Sequence, residues 1–315
     1  MKIKLNFLII LPFLFTALSL KAGVIPVGGE HPMVGDVKGH QSSPSLAMWA
    51  NGGLVAWENS SDSGTKRIVL KRLDASGRGG GDISVVSQNV DRVNDVSPEV
   101  EVVDERTGVV VWASGPRGNT DIFMVLVTRD GRRQGEVQRV NQTTSRNQSR
   151  PRVGVSADGT IAVVWQSEGQ DGDGHGVYGR IYGGEGGPLG NEILLSQTTA
   201  GNQNDPDVVG LDGNRFMVAW VNGVINGRND VGGLKLRSHV MARFFKGSSA
   251  QQNEFRVSGA DAIVQSPVLH LGENNRVHAG WMQRTEINSS DKFDIWGVTL
   301  NAVTGVPEGN PVQIN

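Results

Sequence analysis

A proline followed at nearly fixed distance by a tryptophan recurs five times along this chain of 315 residues. The prolines are Pro44, Pro98, Pro151, Pro206 and Pro267, spaced by 54, 53, 55 and 61 residues. The tryptophans are Trp57, Trp112, Trp165, Trp220 and Trp281, 13 residues on in the first unit and 14 in the other four. A fixed period of this length constrains the fold more than any other feature. Each repeat is one supersecondary unit that buries its apolar surface only against its neighbours.

Inside each unit the apolar residues alternate. Leu46, Val100, Val153, Val208 and Leu269 stand two after the proline. Period two is the signature of a β-strand with one buried face. A proline suits the first residue of such a strand, where a missing N–H costs little. Hairpin residues follow at Asn51-Gly52, Asp158-Gly159 and Asp212-Gly213. The tryptophan strand is apolar on both faces. Val55, Val110, Val163, Val218 and Ala279 share the tryptophan's face, and Ala56, Val111, Val164, Ala219 and Gly280 lie opposite. Strands buried on both sides require sheets stacked face to face. Third strands read Ile68–Leu73, Ile122–Val127, Val177–Tyr182, Val240–Phe245 and Ile295–Leu300. Fourth strands read Ile83–Val86, Val137–Val140, Glu192–Leu195, Glu254–Val257 and Val312–Ile314.

Four antiparallel strands per unit, five times over, predict an all-β fold: a five-bladed β-propeller. The units run at about 40–94, 95–147, 148–202, 203–263 and 264–315. Residues 24–34 match a fourth strand placed ahead of the first unit, an extra N-terminal strand positioned to take part in ring closure.

Residues 1–22 differ from the rest. Lys2 and Lys4 precede an apolar run from Leu5 to Leu20, and Ala22 ends it. This is the form of a cleaved secretory signal peptide, broken by Pro12 and short for a membrane span. The mature domain is then 23–315, secreted or periplasmic, with no membrane span after signal removal. Three of the 30 basic residues lie in the leader, so the formal net charge of −2 becomes −5. That balance offers no basic stripe to nucleic acid. With no cysteine, stability rests on the core of a large domain rather than on disulfides.

The third unit, with VVWQSEGQDGDGHGVYGRIY at 163–182 and GNEILLSQTTAGNQNDP at 190–206, resembles the repeat of large secreted bacterial proteins that carry tandem VVWQSDGQDG-type segments. The resemblance covers residues 40–315 and is strongest in the third unit. It implies export and extracellular binding, with no catalytic residues of its own. A broader similarity to sialidase-like and TolB-like propellers holds at the level of fold.

In a propeller the loops ahead of the first strand and between the second and third strands share one face. Gln41, Asp95, Gln148 and Gln203 stand three before the prolines; Ser45, Glu99, Arg152 and Asp207 stand just after them. Gln41, Gln148, Gln203 and Arg152 are therefore candidate ligand contacts, although near-identical residues in every unit also suit a shared bracing task. The stretch from Trp220 to Arg243 is the longest of its class and breaks the repeat. Its Asn226, Arg228, Asp230, Arg237 and His239 are the candidates for specificity. Trp49 is a further candidate, as an exposed ring for stacking on sugar. Glu168, Asp171 and Asp173 sit in a Gly-rich loop and would offer Ca²⁺ oxygen ligands, without the spacing of an EF-hand; no other cofactor is indicated. Nucleophile elbows, phosphate loops and Zn patterns do not occur. Glu99 and Asp207 are the candidates for a carboxylate pair across the channel mouth.

The expectation is a non-enzymatic binding propeller that recognises an extracellular glycan or protein through its polar loop face. The alternatives are a polysaccharide or glycoside hydrolase of sialidase-like or five-bladed type, and an envelope scaffolding protein.

Overall fold

The computed structural model describes residues 3–4, 33–34, 37–60, 64–87, 93–228, 234–259, 262–284 and 293–315. Among them every regular element is a strand. After β1 (Ile3–Lys4), which pairs with the chain at Ala47–Met48, the strands group by unit. The first unit holds β2 (His40–Trp49), β3 (Gly52–Ser60), β4 (Lys66–Leu73) and β5 (Gly79–Val85). The second holds β6 (Asn94–Val102), β7 (Thr107–Gly115), β8 (Asp121–Thr128) and β9 (Arg133–Arg139). The third holds β10 (Gln148–Val155), β11 (Ile161–Glu168), β12 (His175–Tyr182) and β13 (Ile193–Leu194). The fourth holds β14 (Asn202–Gly210), β15 (Arg215–Arg228), β16 (Leu234–Lys246), β17 (Ser249–Ala250) and β18 (Phe255–Arg256). The fifth holds β19 (Ile263–Leu271), β20 (Arg276–Arg284), β21 (Asp294–Asn301) and β22 (Val312–Gln313).

Within a unit the strands pair antiparallel in chain order. A single parallel bridge, His175 opposite Asn202, joins the third and fourth units into one nine-stranded sheet. The first strands pack in sequence: β2 on β6, β6 on β10, β10 on β14, β14 on β19.

The role expected for the prolines is corrected. They do not start strands. Each lies inside its first strand, at a break in register with the second strand, as between Ser42 and Ser45 or between Asn204 and Asp207. The preceding residue has positive φ every time: Ser43 51°, Ser97 55°, Arg150 52°, Asp205 51° and Ser266 49°. A bulge absorbs the missing N–H, so proline is tolerated mid-strand. The bulge also re-aims the residues on either side of it, and the polar network described below is built from those residues.

Each tryptophan packs on the preceding unit. Trp112 meets Leu54, Ala56, Ile68 and Leu70 of the first unit. Trp165 meets Val109, Val111 and Met124 of the second, Trp220 meets Val164 and Val177 of the third, and Trp281 meets Ala219 and Val240 of the fourth. Small residues opposite the tryptophans make room for the next ring, which is why both faces of that strand are apolar. Trp57 differs and is covered by Met33, Val34 and Val37. Of the expected N-terminal strand, only 33–34 fall among the described residues, as bends, with Lys71 Nζ donating to the Val34 carbonyl at 3.1 Å. Trp49 is not an open stacking ring. It is 9% exposed, its Nε1–H donates to the Asp104 carbonyl at 2.6 Å, and Arg129 lies 5.9 Å over it.

Candidate functional site

Of the residues three before the prolines, Asp95, Gln148 and Gln203 are buried. Gln148 is fully buried; its Oε1 accepts the Trp165 indole N–H at 3.0 Å and its amide donates to the Ser145 carbonyl at 3.3 Å. Gln203, also fully buried, donates to the Ala200 carbonyl at 3.1 Å and to Asn222 Oδ1 at 3.3 Å. Gln41 alone is exposed, and it donates to the Gly39 carbonyl at 2.8 Å and Asn59 Oδ1 at 3.0 Å. The fifth unit lacks this amide, and Trp281 donates instead to Gln283 Oε1 at 3.0 Å. A buried indole N–H without an acceptor is costly, and Gln148 meets that need for Trp165, whereas Trp57 Nε1 and Trp220 Nε1 have no hydrogen-bond partner among the described residues. Gln148 and Gln203 thus brace the turn from within rather than meeting solvent.

Asp95 holds the same position with a charge. Burial pushes its carboxyl up from 3.8, against hydrogen bonds from Ser114, Ser87 and Trp112 and the nearby Arg67, 3.6 Å away. A carboxyl raised by folding costs stability once pH exceeds its folded pKa, and the cost vanishes below 3.8. Asp95→Asn is therefore expected to raise the melting temperature at pH 7 by about 2–4 °C, with the gain fading towards pH 4. Thermal unfolding of both proteins across that range checks it.

The residues just after the prolines form a linked row across the first strands. Ser45 Oγ donates to Glu99 Oε2 at 2.9 Å and accepts the Val100 N–H at 3.1 Å. Arg152 Nη1 meets Glu99 Oε1 at 3.0 Å, and its Nε lies 3.8 Å from Asp207 Oδ1. The Leu269 N–H donates to Asp207 Oδ2 at 2.6 Å, so the row reaches the fifth unit. The Glu99 and Asp207 side chains are 9% and 1% exposed, and that of Arg152 is 32% exposed. Burial alone would lower the Arg152 pKa, but the Glu99, Asp207 and Asp205 charges outweigh it and hold it above its ordinary value. One guanidinium touching both carboxylates caps their separation at roughly 9 Å, within the spacing of paired-carboxylate glycosidases.

A second row uses the positive-φ residues before the prolines. The Ser97 N–H donates to Glu58 Oε1 at 2.9 Å, and the Asp205 N–H to Gln166 Oε1 at 3.3 Å. Arg150 pairs with Asp205 Oδ1, while the Ser266 N–H donates to Asp205 Oδ2 at 3.4 Å. Lys66 Nζ lies 2.6 Å from Glu58 Oε2. Sequence reasoning missed Glu58, Arg150, Gln166 and Asp205. The signal was their constant place, one before the proline or one after the tryptophan.

The second row borders a cavity of about 460 Å³ between the third, fourth and fifth units. Its lining includes Arg150, Gln166, Asn204, Asp205, Arg237 and Gln265. Arg237 was expected to matter, and it lines this cavity. The stretch expected as a long loop is instead a lengthened hairpin: β15 and β16 continue pairing past Asn222–His239 and Val224–Arg237 to Arg228–Leu234. Asn226 and Arg228 belong to β15, but their side chains, and all of Asp230, lie outside the described residues. His239 sits opposite Asn222 in that ladder.

The acids expected to hold Ca²⁺ do not converge. Glu168 Oε2 accepts from Asn147 Nδ2 at 2.8 Å, and Asp173 Oδ2 accepts the Gly201 N–H at 2.9 Å. Asp171 lies by Tyr178, whose hydroxyl is pushed up to about 12, first by burial and then by Asp171 and Glu192. Among the described residues no three His, Cys, Asp or Glu side chains stand where a metal could be held.

No family model matches the chain, and no curated protein does. Solved structures are similar in fold. One is an α-L-arabinofuranosidase from Fusarium graminearum in complex with an iminosugar inhibitor, with TM-score 0.50 and 12% identity over 78% of this chain and 77% of that one. Polysaccharide lyase Uly1 gives TM-score 0.50 and 11% identity over 90% of this chain and 64% of that one. An α-L-arabinofuranosidase from Lactobacillus brevis gives 0.48 and 9% over 87% and 95%. At these identities the likeness speaks for the fold: all-β, four-stranded antiparallel sheets, of the propeller type seen in glycoside hydrolases. The expectation of a non-enzymatic binding protein is thereby corrected. The solved structures named above, which share the architecture, are described as carbohydrate-active enzymes. No helix among the described residues is long and apolar enough to cross a membrane.

Proposed function

We propose that this chain is an exported glycoside hydrolase built on a five-bladed propeller. Residues 1–22 are its signal peptide, 23–315 its single domain, and its blades are kin to the secreted tandem repeats. The observation that carries the reading is the Arg150–Asp205 pair lining a cavity of about 460 Å³, with the buried Glu99–Arg152–Asp207 row on the same first strands but outside that lining. Asp205 lines that cavity and is the carboxylate that reaches a bound glycan. Glu99 and Asp207 supply the second carboxylate, and Arg152 fixes both in position. Glycoside hydrolysis needs one group to protonate the leaving oxygen and another to activate water or attack the anomeric carbon.

The test is a panel of chromogenic glycosides and plant and bacterial polysaccharides, assayed with the mature protein. Asp205→Asn, Glu99→Gln and Asp207→Asn are assayed beside it, each checked for an intact melting transition. Turnover that falls by about 10²–10⁴ in a folded Asp205→Asn variant supports the assignment. Folded wild-type protein that turns over nothing on the panel sinks it.

A further inference from the structure

The cavity beside Asp205 has an unusual lining for a sugar site. Among the described residues its lining includes no aromatic ring; its apolar contacts come from Val221, Ile263 and Val264. Neutral sugars are commonly gripped by stacking on aromatic faces, and the described lining offers no such platform. What the cavity has instead is nitrogen donors from three units: Arg150 from β10, Gln166 from β11, Asn204 from β14, Arg237 from β16 and Gln265 from β19. Two guanidiniums and one carboxylate, Asp205, are among these lining side chains, and Arg150 pairs with Asp205.

Asp205 organises this set. Its own N–H donates to Gln166 Oε1 and so fixes the oxygen end of that lining amide. Its Oδ1 holds Arg150, whose side chain remains 56% exposed. Guanidiniums bind planar carboxylates through parallel N–H donors, and such charge-assisted bonds are about twice as strong as neutral ones.

From this lining we infer that the cavity takes an acidic sugar, and that Arg150 and Arg237 are the specificity residues that grip its carboxylate. The preferred substrate class is a uronic-acid-containing glycan. The inference rests on the hydrolase reading and narrows it.

The experiment is calorimetric titration of the mature protein with three oligosaccharides of equal length: a galacturonate oligomer, a neutral arabino- or xylo-oligomer, and a sulfated neutral oligomer. Each is run at low and at high salt. The expected result is that the galacturonate oligomer binds at least about tenfold more tightly than the neutral one, with the advantage shrinking as salt screens it. In folded protein, Arg237→Gln and Arg150→Gln should each bring the ratio of galacturonate to neutral affinity down towards one. Neutral binding that equals uronate binding at both salts overturns the inference. So does stronger binding of the sulfated oligomer, which would assign the guanidiniums to a sulfate ester. Hydrolysis of neutral glycans without acidic preference would remove this inference alone. Failure of every glycan to bind or turn over would remove the hydrolase reading with it.

Discussion

Arg152→Ala is expected to lower the melting temperature by roughly 10 °C. The variant leaves Glu99 and Asp207 buried with their cation gone. Removing one partner of a buried charge pair costs about 3–5 kcal/mol, because the stranded charge keeps its desolvation penalty. Here two carboxylates are stranded at once, though the Ser45 hydroxyl and the Leu269 N–H still support them. The control is the triple variant Arg152→Ala, Glu99→Gln, Asp207→Asn, in which no charge is left to strand. Recovery of more than half the loss in the triple variant assigns the effect to charge. A triple variant as unstable as the single would assign it to packing, and the charged row would then be a weak stabiliser.

The second large effect concerns the repeated tryptophan. Trp165→Ala should cost about 3–5 kcal/mol, the usual range for deleting a fully buried large ring. It also orphans Gln148 Oε1, a fully buried acceptor. Trp165→Phe should cost clearly less, since most of the ring volume is kept. Trp57→Ala is the informative comparison. Trp57 packs under Met33, Val34 and Val37 rather than against a complete neighbouring sheet, so its removal should cost less than that of Trp165. Chemical denaturation followed by circular dichroism ranks the three. Equal losses at Trp57 and Trp165 would mean that the N-terminal cover is as rigid as a sheet.

These two experiments probe parts of the molecule that were unequally visible in the sequence. The Trp165 environment was legible. Alternating valines and a small residue opposite the ring already required a two-faced core, and the stacked sheets bear that out. The Arg152 environment was half legible. Glu99, Arg152 and Asp207 share a repeat position, but their mutual contact joins residues about 54 apart and depends on how neighbouring first strands align. The bulge was not legible at all. A proline beside alternating apolar residues reads as a strand start, and only the ladder reveals that pairing begins before it. The longest departure from the repeat was legible as a departure, yet it was read as a loop. Its alternation of apolar and polar residues continues the hairpin instead.

The period of the repeat and its two-sided apolar strands were decided by sequence alone, because β-strand periodicity and tight-turn residues are local properties of the chain. The tertiary structure decided which polar residues meet. The prolines' bulges turn Asp205 and Arg150 together and carry Arg152 between Glu99 and Asp207. Those contacts depend on the stacking of whole sheets, and no spacing along one strand encodes that geometry.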